Sequence, residues 1–189
     1  MLTSGLMSSV REDWPTPQYL FDYLNEIFHF TLDVCANSDN HKVPRYFDEK
    51  TDGLKQDWSK DVCFMNPPYG RKISSWIKKA KETASKGGIV VALIPARTDT
   101  KWWGDVMTAS EIWFIQGRVT FEGASGPAPF PSAIVVWGLP HVPTIKTIDN
   151  TLWNNKKIHS QKGTGNGTRG VVQNMGELIV GGTLDRFTR

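Results

Sequence analysis

The chain of 189 residues is predicted to fold as an α/β protein with a mostly parallel sheet, and three observations predict it. Short apolar runs alternate with segments of three-to-four apolar spacing, the order that builds strand–helix crossovers. The run GIVVALIPA, residues 88 to 96, is apolar almost throughout, as suits a strand covered on both faces. A hydrophobic content of 39% and a charged content of 22% are ordinary for a globular domain of this size, which can bury a working core.

Each element follows from local pattern. Residues 1 to 12 read as a polar leader, and residues 13 to 138 as the catalytic-size unit. DWPTPQYLFDYLNEIF, residues 13 to 28, opens with proline-restricted turns and then sets Tyr19, Leu20, Tyr23, Leu24, Ile27 and Phe28 on one helical face. FTLDVCAN, residues 30 to 37, is a short strand ending in small and polar residues. The next stretch, residues 38 to 60, is polar and turn-rich. DVCFMNPPYG, residues 61 to 70, is a strand running into a proline loop. ISSWIKKAKETASK, residues 73 to 86, is helical, and the two glycines that follow stop it. After the buried strand, residues 98 to 110 form a short helix, EIWFIQGRVTF from residue 111 is a strand, and SAIVVWG from residue 132 is the last, beyond a glycine- and proline-rich connection at 122 to 131. From residue 139 the pattern weakens, and residues 139 to 189 are predicted to be a C-terminal extension, flexible around SQKGTGNGTRG.

The composition leaves several function classes aside. Two cysteines, Cys35 and Cys63, supply neither a disulfide framework nor zinc-ligand spacing, so a reducing setting and no metal are expected. No signal-peptide core and no apolar stretch near the ~20 residues of a membrane span occur, which predicts a cytoplasmic protein with no membrane partner. A net charge of +3 and a pI near 8.8 permit a polyanionic partner without requiring one. His29 and His41 have no partner spacing and read as structural.

The chemistry concentrates at Asn66-Pro67-Pro68-Tyr69. In an open α/β sheet ligands sit beyond the carboxyl ends of the strands, where this loop falls. Proline fixes the backbone and cannot donate, so the loop presents acceptors: the Asn66 side-chain oxygen and the Pro67 carbonyl. Tyr69 adds a flat ring for stacking. An adenine amine is a poor nucleophile because its lone pair is delocalised into the ring. Two acceptors drawing that nitrogen toward a tetrahedral geometry would localise the pair for in-line attack on a sulfonium methyl, with neither metal nor covalent enzyme intermediate.

These features resemble the amino-methyltransferases with an (Asn/Asp/Ser)-Pro-Pro-(Tyr/Phe) loop. More closely, DWPTPQYLFDYL, LDVCANSDNHKVPRYF, DGLKQDW, FMNPPYG, LIPARTDTKWW and GRVTF resemble, in order, the bacteriophage and prophage DNA N-6-adenine-methyltransferase family. The resemblance implies an abbreviated, three-layer Rossmann-like methyltransferase fold with one reversed strand, and S-adenosylmethionine as cofactor. It implies donor contacts from Trp14, Thr16 and Pro17, from Asp33, Cys35 and Ala36, from Asp57 near the donor's adenine amine, and from Asn66. The Phe-x-Gly-x-Gly loop of larger relatives is missing, and only 24 residues separate Ala36 from Asp61, too few for two strand–helix units. The donor's acidic ribose contact therefore stays open among Asp48, Glu49, Asp52 and Asp57.

The substrate implied is DNA with a flipped-out adenine, because the amine cannot reach the strand ends while stacked in the duplex. Arg71, Lys72, Arg97, Lys101, Trp102, Trp103 and Arg118 follow strand ends and form the expected DNA-facing set. Trp102 and Trp103 read equally well as core, and Arg118 as a tie to the sheet. Alternatives are cytosine's amine, adenine in RNA, a glutamine amide, or a catalytically idle DNA-binding module of the same fold.

Overall fold

The computed structural model describes residues 13 to 152. The leader and the extension beyond residue 152, including SQKGTGNGTRG, lie outside the described residues. Within them the elements run α1 (Gln18–Phe28), β1 (Leu32–Asp33), a 3-10 turn (Gly53–Lys55), β2 (Val62–Met65), α2 (Ile73–Ser85), β3 (Ile89–Pro95), α3 (Trp103–Val106), β4 (Glu111–Gln116), β5 (Ser132–Trp137) and β6 (Thr144–Asp149). The sheet order is β1-β2-β3-β5-β4-β6. β1, β2 and β3 pair in parallel, β5 is antiparallel to both β3 and β4, and β6 is parallel to β4. β5 is thus the one reversed strand, inserted between β3 and β4, and this is the Rossmann-like methyltransferase architecture the resemblance implies.

Alternation along the strands sorts side chains into two cores, giving three layers. Cys63 and Met65 of β2, and Val90, Ala92 and Ile94 of β3, pack with Trp76, Ile77 and Ala80 of α2 and with Trp103 and Val106 of α3. The intervening Phe64, Val91 and Leu93 pack on the opposite face with Leu20, Phe21 and Leu24 of α1. β3 is therefore covered on both sides, as its unbroken apolar run demands.

Helix α1 begins where Pro17 stops the preceding chain: its carbonyl accepts the amides of Leu20 and Phe21, both at 3.1 Å. It ends at His29, whose left-handed backbone (φ 55°) turns the chain while the Asn25 side chain accepts the Phe30 amide at 2.9 Å. Asn25 thus aims the chain into β1.

Strand β1 is only two residues long, shorter than FTLDVCAN suggests. Its outer edge is covered by the loop that follows: Asp33 accepts the Phe47 amide at 2.9 Å and donates its own to Arg45 at 3.0 Å. Residues 36 to 61 hold no full strand–helix unit, only turns, an isolated bridge at Tyr46 and the 3-10 turn, in keeping with their length. Gly53 is required there, since a Cβ would lie 2.2 Å from the Val34 carbonyl.

The sheet continues past residue 138 into β6, which the sequence pattern does not single out. β6 is an edge strand, mostly exposed, and its amphipathic signal is correspondingly faint. Lys146 pins it, lying 4.1 Å from the centre of the Trp113 ring and 3.2 Å from the Glu111 carboxylate.

Candidate active site

With β1 to β4 parallel, the segments leaving their carboxyl ends gather at one end of the sheet, and a cleft opens there. It holds about 390 Å³ of empty space, open to solvent, and is lined by Asp13, Pro15, Thr16, Asp33, Cys35, Asn40, Lys42, Phe64, Asn66 and Pro68. Three segments predicted from the sequence thus meet: the WPTP turn, the end of β1, and the proline loop after β2.

Asn66 is oriented unambiguously. Its Nδ2 donates to the Trp14 carbonyl at 2.6 Å and to Thr16 Oγ1 at 2.8 Å. A carbonyl can only accept, so the amide cannot be turned the other way. Its Oδ1 is consequently the atom left over, buried and without a hydrogen-bond partner. An orphaned acceptor of this kind costs about 1–3 kcal/mol unless a ligand supplies an N–H or O–H. Thr16, buried, accepts from Asn66 and still has a hydroxyl hydrogen to give.

Asp33 ends β1 with its carboxylate in the cleft wall, only 3% exposed. The Lys42 amide donates to Oδ2 at 3.1 Å and the Cys35 amide to Oδ1 at 3.4 Å. Those two donors do not replace the lost water: burial pushes the Asp33 pKa up to about 6, with the two amides and the nearby Lys42 and His41 charges pulling the other way. Cys35 lines the cleft too, and burial, with the neighbouring Asp33 charge, raises its pKa well above the ordinary thiol value, the nearby Asn66 backbone N–H pulling the other way.

Tyr69 is not a free-standing platform. Its hydroxyl donates to the Leu93 carbonyl at 3.2 Å, and its ring meets Phe121 and Phe130 edge-on at 6.1 and 5.7 Å. Burial holds the phenol pKa well above 10. Trp14 joins the same cluster, its ring 5.3 Å from Phe121 and 5.1 Å from Phe130. Pro67 is buried, whereas Pro68 is exposed at the cleft rim.

Other expected residues fall elsewhere. Pro17 caps α1 and is buried. Ala36 donates its amide to Phe47 and stands outside the cleft lining. Asp57 precedes β2 on the amino-terminal side of the sheet, where its carboxylate accepts from the Ser59 amide at 3.0 Å and hydroxyl at 3.1 Å. Asp57 thus stands at the opposite end of the sheet from the cleft. Asp48 is likewise occupied, accepting from the Thr51 amide and hydroxyl, and Asp52 pairs with Lys55 at 2.9 Å.

Arg71, Lys72, Arg97, Lys101 and Arg118 are exposed on the loops leaving β2, β3 and β4, around the cleft end of the sheet. Among the described residues, Arg71, Arg97, Lys101 and Arg118 enter no ion pair. Trp103 corrects the expectation of a DNA-facing pair: it is buried and stacks on Phe114 at 6.2 Å, and the half-buried Trp102 leans on it at 5.6 Å. Lys42, Asn40 and Phe64 are cleft residues that sequence reasoning missed. Nothing in SDNHKVPRYF marks Lys42 as buried, because its partner Glu122 lies 80 residues away.

Comparison with known proteins gives the family. Residues 3–134 match the family model described as DNA N-6-adenine-methyltransferase (Dam). The chain belongs to this family. As a DNA adenine methyltransferase it transfers a methyl group to the exocyclic amine of adenine in DNA. It is 31% identical over 125 residues to a DNA N-6-adenine-methyltransferase of Haemophilus phage HP1, covering 64% of this chain and 72% of that one. To the DNA N-6-adenine-methyltransferase of Escherichia phage T1 it is 30% identical over 115 residues, covering 59% of this chain and 48% of the other, so it spans about half the length of that relative. A crystal structure titled as a predicted O-methyltransferase from Agrobacterium tumefaciens shares 19% identity at a TM-score of 0.27, over 47% of this methyltransferase and 39% of that chain. Among the described residues no helix is long and apolar enough to cross a membrane, and no three His, Cys, Asp or Glu side chains group as metal ligands.

Proposed function

We propose that the methyltransferase takes its methyl group from S-adenosylmethionine held in the Asp33–Thr16–Asn66 cleft and delivers it to an adenine extruded from duplex DNA. The observation that carries this reading is the buried, unpartnered Asn66 Oδ1. The residues fit the donor: Asp33 is a buried carboxylate satisfied only by two backbone amides, and the buried Thr16 keeps a hydroxyl hydrogen to give. An ammonium group beside a carboxylate is what that pair requires. Bound there, S-adenosylmethionine supplies an electrophilic methyl on a positively charged sulfur.

The chain's own residues do the rest. Asp33 would hold the donor's ammonium, and Thr16 would offer its hydroxyl hydrogen to the donor's carboxylate. Asn66 Oδ1, with the Pro67 carbonyl as second acceptor, takes the N–H groups of the adenine amine and localises the lone pair on nitrogen. With S-adenosylmethionine bound, the nitrogen would take the methyl as the methyl–sulfur bonding pair stayed on sulfur, and the amine proton would leave to solvent. The locked backbone of Pro67 and Pro68 fixes these acceptors before the base arrives, so little reorganisation is left for the reaction itself. Tyr69 holds the base from the aromatic cluster. Arg71, Lys72, Arg97, Lys101 and Arg118 neutralise phosphates around the extruded base, offsetting part of the few kcal/mol that extrusion costs. Such a protein acts in the cytoplasm of a host cell, where the DNA is.

Calorimetry with S-adenosylhomocysteine, followed by mass analysis of nucleosides from treated plasmid, tests the reading. Saturable one-site binding and N6-methyladenine are expected. Failure to bind the nucleoside, or methylation confined to cytosine, overturns it.

A further inference from the structure

Glu122 sits in the connection between β4 and β5, at the edge of the loop that carries Arg118, and it reaches both walls of the donor cleft. Its backbone amide donates to the Pro15 carbonyl at 2.9 Å, on the wall formed by the WPTP turn. Its carboxylate accepts from the Lys42 amine at 3.1 Å, on the wall formed by the loop after β1. The Lys42 side chain is 7% exposed, and the same amine also donates to Gln18 Oε1 of α1 at 3.1 Å. Lys42 is moreover the residue whose backbone amide holds Asp33 Oδ2. One residue therefore ties the cleft carboxylate, the first helix and the DNA-facing connection together. Burying a lysine amine beside a carboxylate yields little net stability, so the pair calls for a positional role.

We propose that Lys42 and Glu122 are positioning residues that couple the donor cleft to the DNA-facing β4–β5 connection, so that each ligand binds more tightly when the other is present. The coupling rests on the proposed donor site. Anything that fixes the Asp33 carboxylate fixes the Lys42 backbone, and through the Lys42 amine and Glu122 it fixes the connection that bears Arg118. By linkage the effect runs equally in reverse.

The test is titration of S-adenosylhomocysteine into the full chain, with and without saturating unmethylated duplex DNA at one fixed salt concentration. The wild type is expected to bind at least about fivefold more tightly with DNA present, the low end of ordinary allosteric coupling. Glu122→Gln should bring that ratio to near one while leaving the DNA-free affinity within about threefold; Lys42→Met should also bring the ratio to near one, and Lys42→Arg should restore most of it. A wild-type ratio of one, or a ratio unchanged in Glu122→Gln, overturns the coupling while leaving the donor site intact. Loss of all DNA-free binding in Lys42→Met also overturns it, because the amine would then be a direct ligand. No binding to the wild type in either condition instead refutes the donor site itself.

Discussion

The Asn66 carboxamide donates to the Trp14 carbonyl across 2.6 Å, and that single contact decides which end of the side chain faces the reaction. Because the NH2 end is consumed, the oxygen is preset as an acceptor. Asn66→Ala should lower methyl transfer by about 10²–10³-fold, the range for removing one preorganised polar group at a reacting centre. Binding of S-adenosylhomocysteine should change much less. Single-turnover transfer of a labelled methyl group, measured beside calorimetry, separates the two.

Asp33 predicts a pH dependence with two opposite signs. Its folded pKa lies above the ordinary 3.8, at about 6. Between those values the ligand-free folded state holds more protons than the unfolded chain, so its stability falls as pH rises through that window, by about 3 kcal/mol for a shift of this size, and is flat above it. Donor affinity should run the other way, because the ammonium needs the ionised carboxylate: it should rise up to about tenfold per unit toward pH 6 and then level off. Asp33→Asn should bind the donor more weakly with that titration gone. Chemical denaturation and calorimetry across pH 4.5 to 8 check both arms.

Trp103→Ala should cost about 3–5 kcal/mol of stability, as expected when a buried tryptophan is cut back. DNA affinity should be largely unaffected under conditions where the variant is folded. Thermal melts and DNA titration together distinguish this core role from a base-stacking one.

Arg71→Ala, Arg97→Ala and Arg118→Ala should each weaken DNA binding across sequences and reduce the slope of log affinity against log salt by about one. Asp57→Ala should leave donor affinity unchanged within about twofold, given its place at the other end of the sheet. A salt titration series and one donor isotherm test the pair of statements.

Much of this site was legible in residue pattern because its parts are local. Asn66-Pro67-Pro68-Tyr69 announces itself through proline geometry, and β3 through an apolar run that only two covered faces explain. What escaped depends on distant partners. Trp103 is buried because Phe114 comes to stack on it, and Lys42 matters because Glu122 returns to it; no periodicity encodes either meeting. β6 was missed for a different reason: an edge strand with exposed side chains carries little hydrophobic signal. Asp57 misled because an acidic residue in sequence order says nothing about which end of the sheet it occupies.

The most direct measurement is nucleoside mass analysis of unmethylated DNA incubated with S-adenosylmethionine and either the wild-type chain or Asn66→Ala. N6-methyladenine is expected from the wild type and, at equal folded protein, about a hundredth or less from the variant. Undiminished N6-methyladenine from Asn66→Ala, or N4-methylcytosine as the wild-type product, would contradict this expectation.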